Sequence, residues 1–549
     1  MAENIGFDKE QFEERIAFEV KDKEIPSISY TLVSRNSVLA SGHVQRDDLS
    51  YNFSDETRFR IASQTKMFTC ICLMQLVEQG LVDIDVDVSL YIPGFQPKNP
   101  FISEKGGPFG NEVTLRKLMS HTAGLIREPK SGHYLDDSNP PLGQTVNELA
   151  SSELKFDPSA SVFSYSNAGM AVVGSVIEHV SGQSYGDYLT TNILKPLGMS
   201  DSAIYSDSAI LDELAPAFMW TIDSDLPAPV FDLGGSPAGN IFSTLPDMSR
   251  FMICLLRGGF LPDGHSLVSP STLEQMWLIG GQRPKGYAGL SDYGLGFGVG
   301  KLDDWHTVGH GGAVYGFASQ ISMLPLAGFG IEIISTLDMT NNTANHLAES
   351  GLRLALAANK MGPSPTKRRA YSEISTEQLQ SLPGHYKNQE NEEIAEITRR
   401  NDKLYLIGDG VPLQIKPKTD TQFYVDGRLY SEGSDYEFLK LEFPQPEKMI
   451  WKNQTWAKTT IVKGQVDAEI EPHLGTYGPE INITTLSYQN NELVCLIEYF
   501  HSHICKPIGN NKFIMNGTLY PNETLELGAT DEMGQLGIRV GLMFLKRRP

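Results

Sequence analysis

Apolar positions along this chain follow two periods, and the change from one to the other divides it. Helical spacing predicts helices from Asp8 to about Lys21, through the apolar run Met67–Val77, over Thr114–Ser120, from Asn167 to Val180 with a stop near Gly182, from Ser184 to Leu194, and from His346 to Asn359. Ser184 and Asp187 are placed to form a capping box at the start of the fifth of these. Two-residue alternation and β-branched runs predict strands at Ser27–Ser34 and Ser37–His43, joined by a turn at Arg35-Asn36. Strand character returns at His306–His310, Phe317–Leu324 and Phe329–Leu337, the last two joined by a turn at Pro325–Gly328. An antiparallel sheet built from both ends of a domain, with a helical region inserted between, accounts for this order. The strand through His310 is expected at the sheet edge.

After Met361 the texture changes. Gly362-Pro-Ser-Pro365 and the charged residues to Gln378 read as a linker. Beyond it come short alternating strands and turns. Leu382-Pro-Gly-His-Tyr386 and His473-Leu-Gly-Thr-Tyr477 open two such stretches, and Gly384 and Gly475 are 91 residues apart. Two small β-barrels of similar size explain this spacing. The expected fold class is therefore α/β (α+β), an antiparallel sheet with a helical insertion followed by two all-β barrels. The expected domains are 1–362, a linker 363–380, and barrels at 381–465 and 466–549.

Composition narrows the partners. The chain has 549 residues, 40% hydrophobic and 20% charged, which suits several globular domains. A formal net charge of −22 argues against nucleic acid or an anionic membrane as partner. The basic cluster Lys367-Arg368-Arg369 is short and reads as solvated linker. No run of about 18 apolar residues is present, and the first ten residues have neither a basic start nor an apolar core. As written, the chain is expected to be cytoplasmic, or periplasmic or secreted if it was trimmed. Of five cysteines, Cys70 and Cys72 fall in the apolar helix, while Cys495 and Cys505 are spaced so that a pairing stays open. No spacing is of a metal-binding kind, and no metal or organic cofactor is expected.

The chemistry concentrates at Ser63-Gln64-Thr65-Lys66. Residues three apart share a helix face, so the Lys66 amine can reach the Ser63 hydroxyl. The helix N-terminus adds the positive end of its dipole, and together these make an activated nucleophile. Ser152-Glu-Leu-Lys155 and Ser364-Pro-Thr-Lys367 repeat the spacing in contexts unsuited to it. Acyl transfer also needs a proton carrier and oxyanion donors. Phe163-Ser164-Tyr165-Ser166-Asn167, just before a helix, offers a phenol and an amide. Val308-Gly-His310-Gly311-Gly312-Ala313 offers a histidine and two glycines that would let a substrate approach the backbone.

The ordered set Ser63-x-x-Lys66, Tyr165-x-Asn167 and His310-x-Gly312 resembles the serine β-lactamase and penicillin-binding-protein superfamily. It is most similar to the group with class C β-lactamases, D-alanyl-D-alanine carboxypeptidases, D-aminopeptidases and related esterases. Thr114–Leu125, Ser236–Thr244 and Tyr293-Gly-Leu-Gly296 match as well, so the resemblance covers roughly residues 10–360.

The resemblance implies that Ser63 forms an acyl-enzyme and that Lys66 and Tyr165 share the proton work. Asn167 would hold Lys66 and the substrate amide. The backbone N–H groups of Ser63 and Ala313 would form an oxyanion hole, and Gly311, Gly312 and Tyr315 would contact substrate. Tyr134, Trp220 and Phe317 are further candidates for the cleft wall, and His121 reads as structural. Penicillin-recognising members commonly carry Lys-Thr-Gly where this chain has His310-Gly311-Gly312. Histidine keeps a donor there but is mostly neutral near pH 7, which favours D-amino-acid amides, small peptides or esters over a β-lactam. The expected activity is D-aminopeptidase or D-peptidase on a small molecule or short peptide. An esterase or weak β-lactamase is the alternative, and a penicillin-binding sensor that acylates without turnover is the other class. The tail is similar in layout to that of three-domain D-aminopeptidases, where such barrels help shape the cleft, and a homo-oligomer is within the expectation.

Overall fold

The computed structural model describes residues 6–101, 113–283, 290–365, 373–391, 393–407, 411–427, 439–460, 466–479, 482–489, 492–498, 501–516, 520 and 522–549. The chain forms two compact units, Met1–Met219 with Pro227–Pro365, and Trp220–Leu226 with Thr366–Pro549.

The first unit is organised by an eight-stranded antiparallel sheet. Its strands are β1 (Ser27–Ser34), β2 (Val38–Gln45), β3 (Gly281–Gln282), β4 (Asp292–Tyr293), β5 (Gly298–Leu302), β6 (Trp305–Val314), β7 (Phe317–Leu324) and β8 (Phe329–Ser335). They lie in the order β2-β1-β8-β7-β6-β5-β4-β3. The two chain ends meet where β1 pairs with β8, from Ile28 opposite Ser335 to Ser34 opposite Phe329. β1, β7 and β8 are buried along their whole length, because helices cover both faces.

The helices of this unit include α1 (Lys9–Lys23), α2 (Thr65–Glu78), α3 (Leu115–Met119), α4 (Asn167–Ser181), α5 (Leu245–Leu256) and α6 (Asn341–Ala358); α1, α5 and α6 pack on the sheet, and α4 packs on α2 and α3. Gly351 of α6 sits over Ile331 and Phe12, whereas Gly330, one position on, faces Met252 of α5, as strand alternation requires. Asp8 caps α1 through the Gln11 amide at 3.0 Å. Thr114 caps α3, and Gly182 ends α4 in the left-handed conformation.

Four expectations change. The strand through His310, β6, is the fifth in the sheet order rather than an edge. β5 pairs with it only as far as Gly309, so on that side the stretch from His310 onward lies past the end of its neighbour. The helix expected from Ser184 to Leu194 is α-helical only over Tyr185–Leu189 and passes into a wider turn at Thr190–Leu194. Its capping box is half formed, because the Asp187 carboxylate accepts from the Ser184 hydroxyl (2.7 Å). Finally, α6 begins five residues before His346.

In the second unit, eight strands from Gly384–Asn388 to Gln454–Thr459 make a closed barrel, and eight more from Gly475–Tyr477 to Met543–Lys546 make a nearly closed one. The two opening stretches share more than spacing. Tyr386 donates its hydroxyl to the Leu382 carbonyl at 2.7 Å, and Tyr477 donates to the His473 carbonyl at 2.6 Å. Gly384 and Gly475 both have φ near +138°, at +139° and +137°. Cys495 and Cys505 are buried free thiols on neighbouring strands. A short helix, Thr376–Ser381, with a complete capping box between Ser375 and Gln378, lies in the stretch read as linker. Lys367-Arg368-Arg369 lies outside the described residues. Among the described residues no helix is long and apolar enough to cross a membrane.

Candidate active site

Ser63 sits in a single 3₁₀ turn, Ala62–Gln64, immediately before α2. Ala62 adopts φ +52°, a conformation that costs a side-chain-bearing residue about 1–3 kcal/mol and persists only where neighbours hold it. Here Thr65 holds it: its hydroxyl donates to the Ala62 carbonyl (2.7 Å) and accepts from the Ile241 amide (3.1 Å). Ser63 stays partly exposed while the residues on either side are buried.

Lys66, in the first turn of α2, is wholly buried. Its amine donates to Ser63 Oγ at 3.1 Å and to the Ala238 carbonyl at 2.6 Å. Burial pushes its pKa below the ordinary lysine value; Tyr165 and Glu128 oppose that shift and Arg127 adds to it. The Ser-x-x-Lys spacing thus delivers the predicted contact.

Tyr165 stands just before α4, with the Lys66 amine 4.8 Å and the Arg127 guanidinium 5.2 Å from its ring centre. Ser166 fixes this entry by accepting from Gly169 N–H (2.8 Å) and donating to the Ile126 carbonyl (2.6 Å). Asn167 departs from expectation. Its amide donates to the buried Glu128 carboxylate at 2.7 Å, and the second acceptor of the Lys66 amine is the Ala238 carbonyl. Glu128 is itself paired with Arg127 at 3.3 Å.

His310, on β6, is buried with both ring nitrogens engaged. Nε2 accepts from the Tyr293 hydroxyl at 2.7 Å, and Nδ1 donates to the Gly311 carbonyl. Burial holds its pKa well below the usual histidine value, with Lys66 and Arg283 acting in the same direction. The free donor expected at this position is therefore committed inside the protein. His121 packs its ring 4.3 Å from that of Tyr165 and accepts from the Ser166 amide at 3.2 Å.

Gly312 also differs from expectation. A Cβ there would lie 2.3 Å from Ser319 Oγ and 2.4 Å from the Ile61 carbonyl, so this glycine lets β6 touch the turn that carries Ser63 rather than opening the strand to a ligand. A Cβ on Gly311 would meet the end of the Gln320 side chain at 3.2 Å and the Ser319 carbonyl at 3.7 Å. Ala313 is exposed, opposite Ala318. Tyr315 is 5% exposed, donates its hydroxyl to the Tyr134 carbonyl and packs on Phe231. Phe317 belongs to a core cluster with Phe59, Leu245 and Ile334. Trp220 packs on Tyr405 within the second unit.

The structure thus brings Ser63, Lys66, Tyr165 and, through β6, Gly312 together. It adds Ala238, Arg127, Glu128 and Tyr293, which residue patterns did not single out; Ala238 and Tyr293 lie in segments that carried the resemblance. Among the described residues no group of three His, Cys, Asp or Glu side chains converges to hold a metal.

A sheet flanked by helices on both faces, with a half-exposed serine beside a buried lysine, defines a β-lactamase-like hydrolase fold. Residues 12–375 match the Beta-lactamase family model, and the chain belongs to that family. The protein Flp of Staphylococcus aureus strain N315 is 26% identical over 336 residues, 60% of this chain and 63% of that protein. The chain thus spans less than two thirds of that relative's length. Among solved structures, the octameric penicillin-binding protein homologue from Pyrococcus abyssi superposes with a TM-score of 0.56 at 21% identity, covering 82% of this chain and all of that one. The D-amino acid amidase from Ochrobactrum anthropi SV3 in complex with D-phenylalanine gives 0.52 at 22% identity, over 64% and 99%. These two likenesses are ones of fold.

Proposed function

We propose that this chain is a serine hydrolase that cleaves an amide or ester through an acyl-Ser63 intermediate, with D-aminopeptidase or D-peptidase activity as its main reaction. The observation that carries this reading is the 3.1 Å contact between Ser63 Oγ and a wholly buried Lys66 amine whose pKa burial lowers. A neutral amine there accepts the hydroxyl proton as Ser63 Oγ attacks the carbonyl carbon. Tyr165, adjacent to Lys66, passes a proton to the leaving amine or alkoxide and afterwards deprotonates the attacking water. The backbone N–H groups of Ser63 and Ala313 receive the oxyanion; losing one such donor typically costs about 3–4 kcal/mol. Asn167 and Glu128 form the polar wall beside Tyr165. With both ring nitrogens engaged, His310 itself offers no cationic donor to a β-lactam carboxylate, which favours small amides and esters.

The amidase likeness supports a D-configured substrate, and the octameric homologue supports assembly into a homo-oligomer. We assign the barrels, with boundaries near 362, 380 and 465, a role in narrowing substrate size. The test is a panel of D- and L-amino-acid p-nitroanilides, p-nitrophenyl esters and nitrocefin on wild type and Ser63→Ala. Steady turnover of D-anilides that vanishes in Ser63→Ala is expected. Turnover that survives in the variant rejects the nucleophile, and acylation without a steady phase on any substrate establishes a sensor instead.

A further inference from the structure

Directly beneath the Ser63 turn lies a buried acid that pairs with no cation among the described residues. Glu332, on β8, is 0% exposed, and its Oε1 accepts from Gln64 Nε2 at 2.7 Å. Gln64, next to Ser63, is equally buried and gives its other amide hydrogen to Ser319 Oγ at 2.9 Å. Among the described residues, Glu332 Oε2 and Gln64 Oε1 have no hydrogen-bond partner. Two buried acceptors facing no donor are costly, and an isolated buried carboxylate more so. One proton resolves both costs, since a carboxylic acid and a carboxamide pair through two hydrogen bonds, each group donating once and accepting once.

We propose that Glu332 is held as a neutral carboxylic acid in a doubly hydrogen-bonded pair with Gln64, and that this pair positions the turn carrying Ser63. The surroundings agree. Glu332 lies on the α5 face of the sheet, two residues from Gly330, with Thr31 of β1 and Ile321 of β7 beside it in the register. Thr31 is bonded to Ser249 of α5 at 2.9 Å. The ionisable groups on the helices over this face are engaged elsewhere. Lys66 of α2 is on Ser63 and Ala238, and Asp247 of α5 is on Ser202 and Arg250. Burial drives the Glu332 pKa well above the carboxylate range, opposed only by the Gln64 hydrogen bond.

A carboxyl with a raised folded-state pKa stabilises the fold below its unfolded value of about 4.3, and that contribution is lost as pH rises toward the folded value. Urea unfolding of the full chain between pH 5 and 8 should therefore show wild type losing stability relative to Glu332→Gln by up to about tenfold in the folding constant per pH unit, the slope of one proton. Glu332→Gln, which keeps a two-bond amide pair, should label with a fluorophosphonate probe at near the wild-type rate. Gln64→Leu, which takes their buried hydrogen-bond partner from both Glu332 and Ser319, should lose about tenfold or more in labelling rate. Parallel pH–stability curves for wild type and Glu332→Gln overturn the protonation. If that variant does not fold, infrared spectra of wild type carry the test: a protonated-carboxyl band that persists from pH 6 to 8 supports the acid, and its absence overturns it. The positioning half rests on Ser63 as nucleophile, whereas the protonation readouts do not. Turnover surviving in Ser63→Ala would therefore reject the proposed function and leave the neutral pair standing.

Discussion

Gly312→Ala probes how tightly the sheet is seated on the nucleophile turn. The added methyl would lie 2.4 Å from the Ile61 carbonyl, 2.3 Å from Ser319 Oγ and 3.3 Å from Ala62 Cβ. Ser319 can rotate, but Ile61 is backbone, and its amide is itself bonded to the Ile241 carbonyl at 3.1 Å. Relief requires β6 or the turn to move by roughly half an ångström or more, against close packing. β6 is tied on its far side through the Gly312 carbonyl, which accepts from Asn341 at 2.7 Å. Overpacking of this kind costs about 1–3 kcal/mol. A displacement approaching 1 Å at a reacting serine can cost about a hundredfold in rate. Gly311→Ala is the control, since its methyl would meet the Gln320 amide oxygen at 3.2 Å and the Ser319 carbonyl at an ordinary 3.7 Å, with no backbone clash. Urea unfolding should thus separate the two variants by about 1–3 kcal/mol, and fluorophosphonate labelling of Ser63 should slow by about ten- to a hundredfold in Gly312→Ala alone. Equal stability and equal labelling in the two variants would refute the claim that Gly312 is a packing glycine.

Further outcomes follow from the same geometry. Because burial lowers the Lys66 pKa, the acid limb of the kcat/KM profile should fall below the ordinary lysine value; by the same linkage Lys66 favours the fold above its unfolded pKa, and that contribution is lost as pH falls through the folded one, a dependence absent in Lys66→Met. Glu128→Gln should leave Asn167 without its charged acceptor and lower kcat/KM by about tenfold or more while the fold, read by circular dichroism, persists. Tyr386→Phe and Tyr477→Phe should each cost about 1 kcal/mol in the unfolding of the tail barrels, and clearly unequal losses would argue against equivalent roles for the two contacts.

What the sequence made legible was local. Ser63 and Lys66 meet because a three-residue offset on a helix has one geometry, and the barrel pair announced itself through Leu382–Tyr386 and His473–Tyr477. Asn167 was read toward Lys66 because the carboxylate that takes its amide, Glu128, is 39 residues away in the chain, a distance at which spacing carries no information. The Ala238 carbonyl was invisible for a different reason: a backbone acceptor has no residue identity. Gly312 and Gly311 look alike in a string of letters, and only the three-dimensional path of Ile61 distinguishes them. His310 was given a free donor because the group that takes its Nδ1 hydrogen is the Gly311 carbonyl, a backbone acceptor that no residue letter reveals, and nothing in the strand pattern shows Tyr293 behind the ring.

The second tail barrel has a parting line that the first lacks. In the first, the strand at Gly384–Asn388 is zipped to the one at Gln454–Thr459 from His385 opposite Thr459 to Asn388 opposite Trp456. In the second, the backbone pairing of the terminal strands among the described residues is one bridge, Tyr477 to Arg547, with bonds from Gly478 to Lys546 and from Arg548 to Thr476, each 2.9 Å, and the Arg547 and Arg548 side chains reach the Leu474 and Gly478 carbonyls across it. Breathing should start there, since freeing a three-residue strand breaks few bonds. An opened seam presents two unpaired strand edges, so when heated this barrel has a route to exchanging strands with another copy, while its closed twin must first break a full ladder.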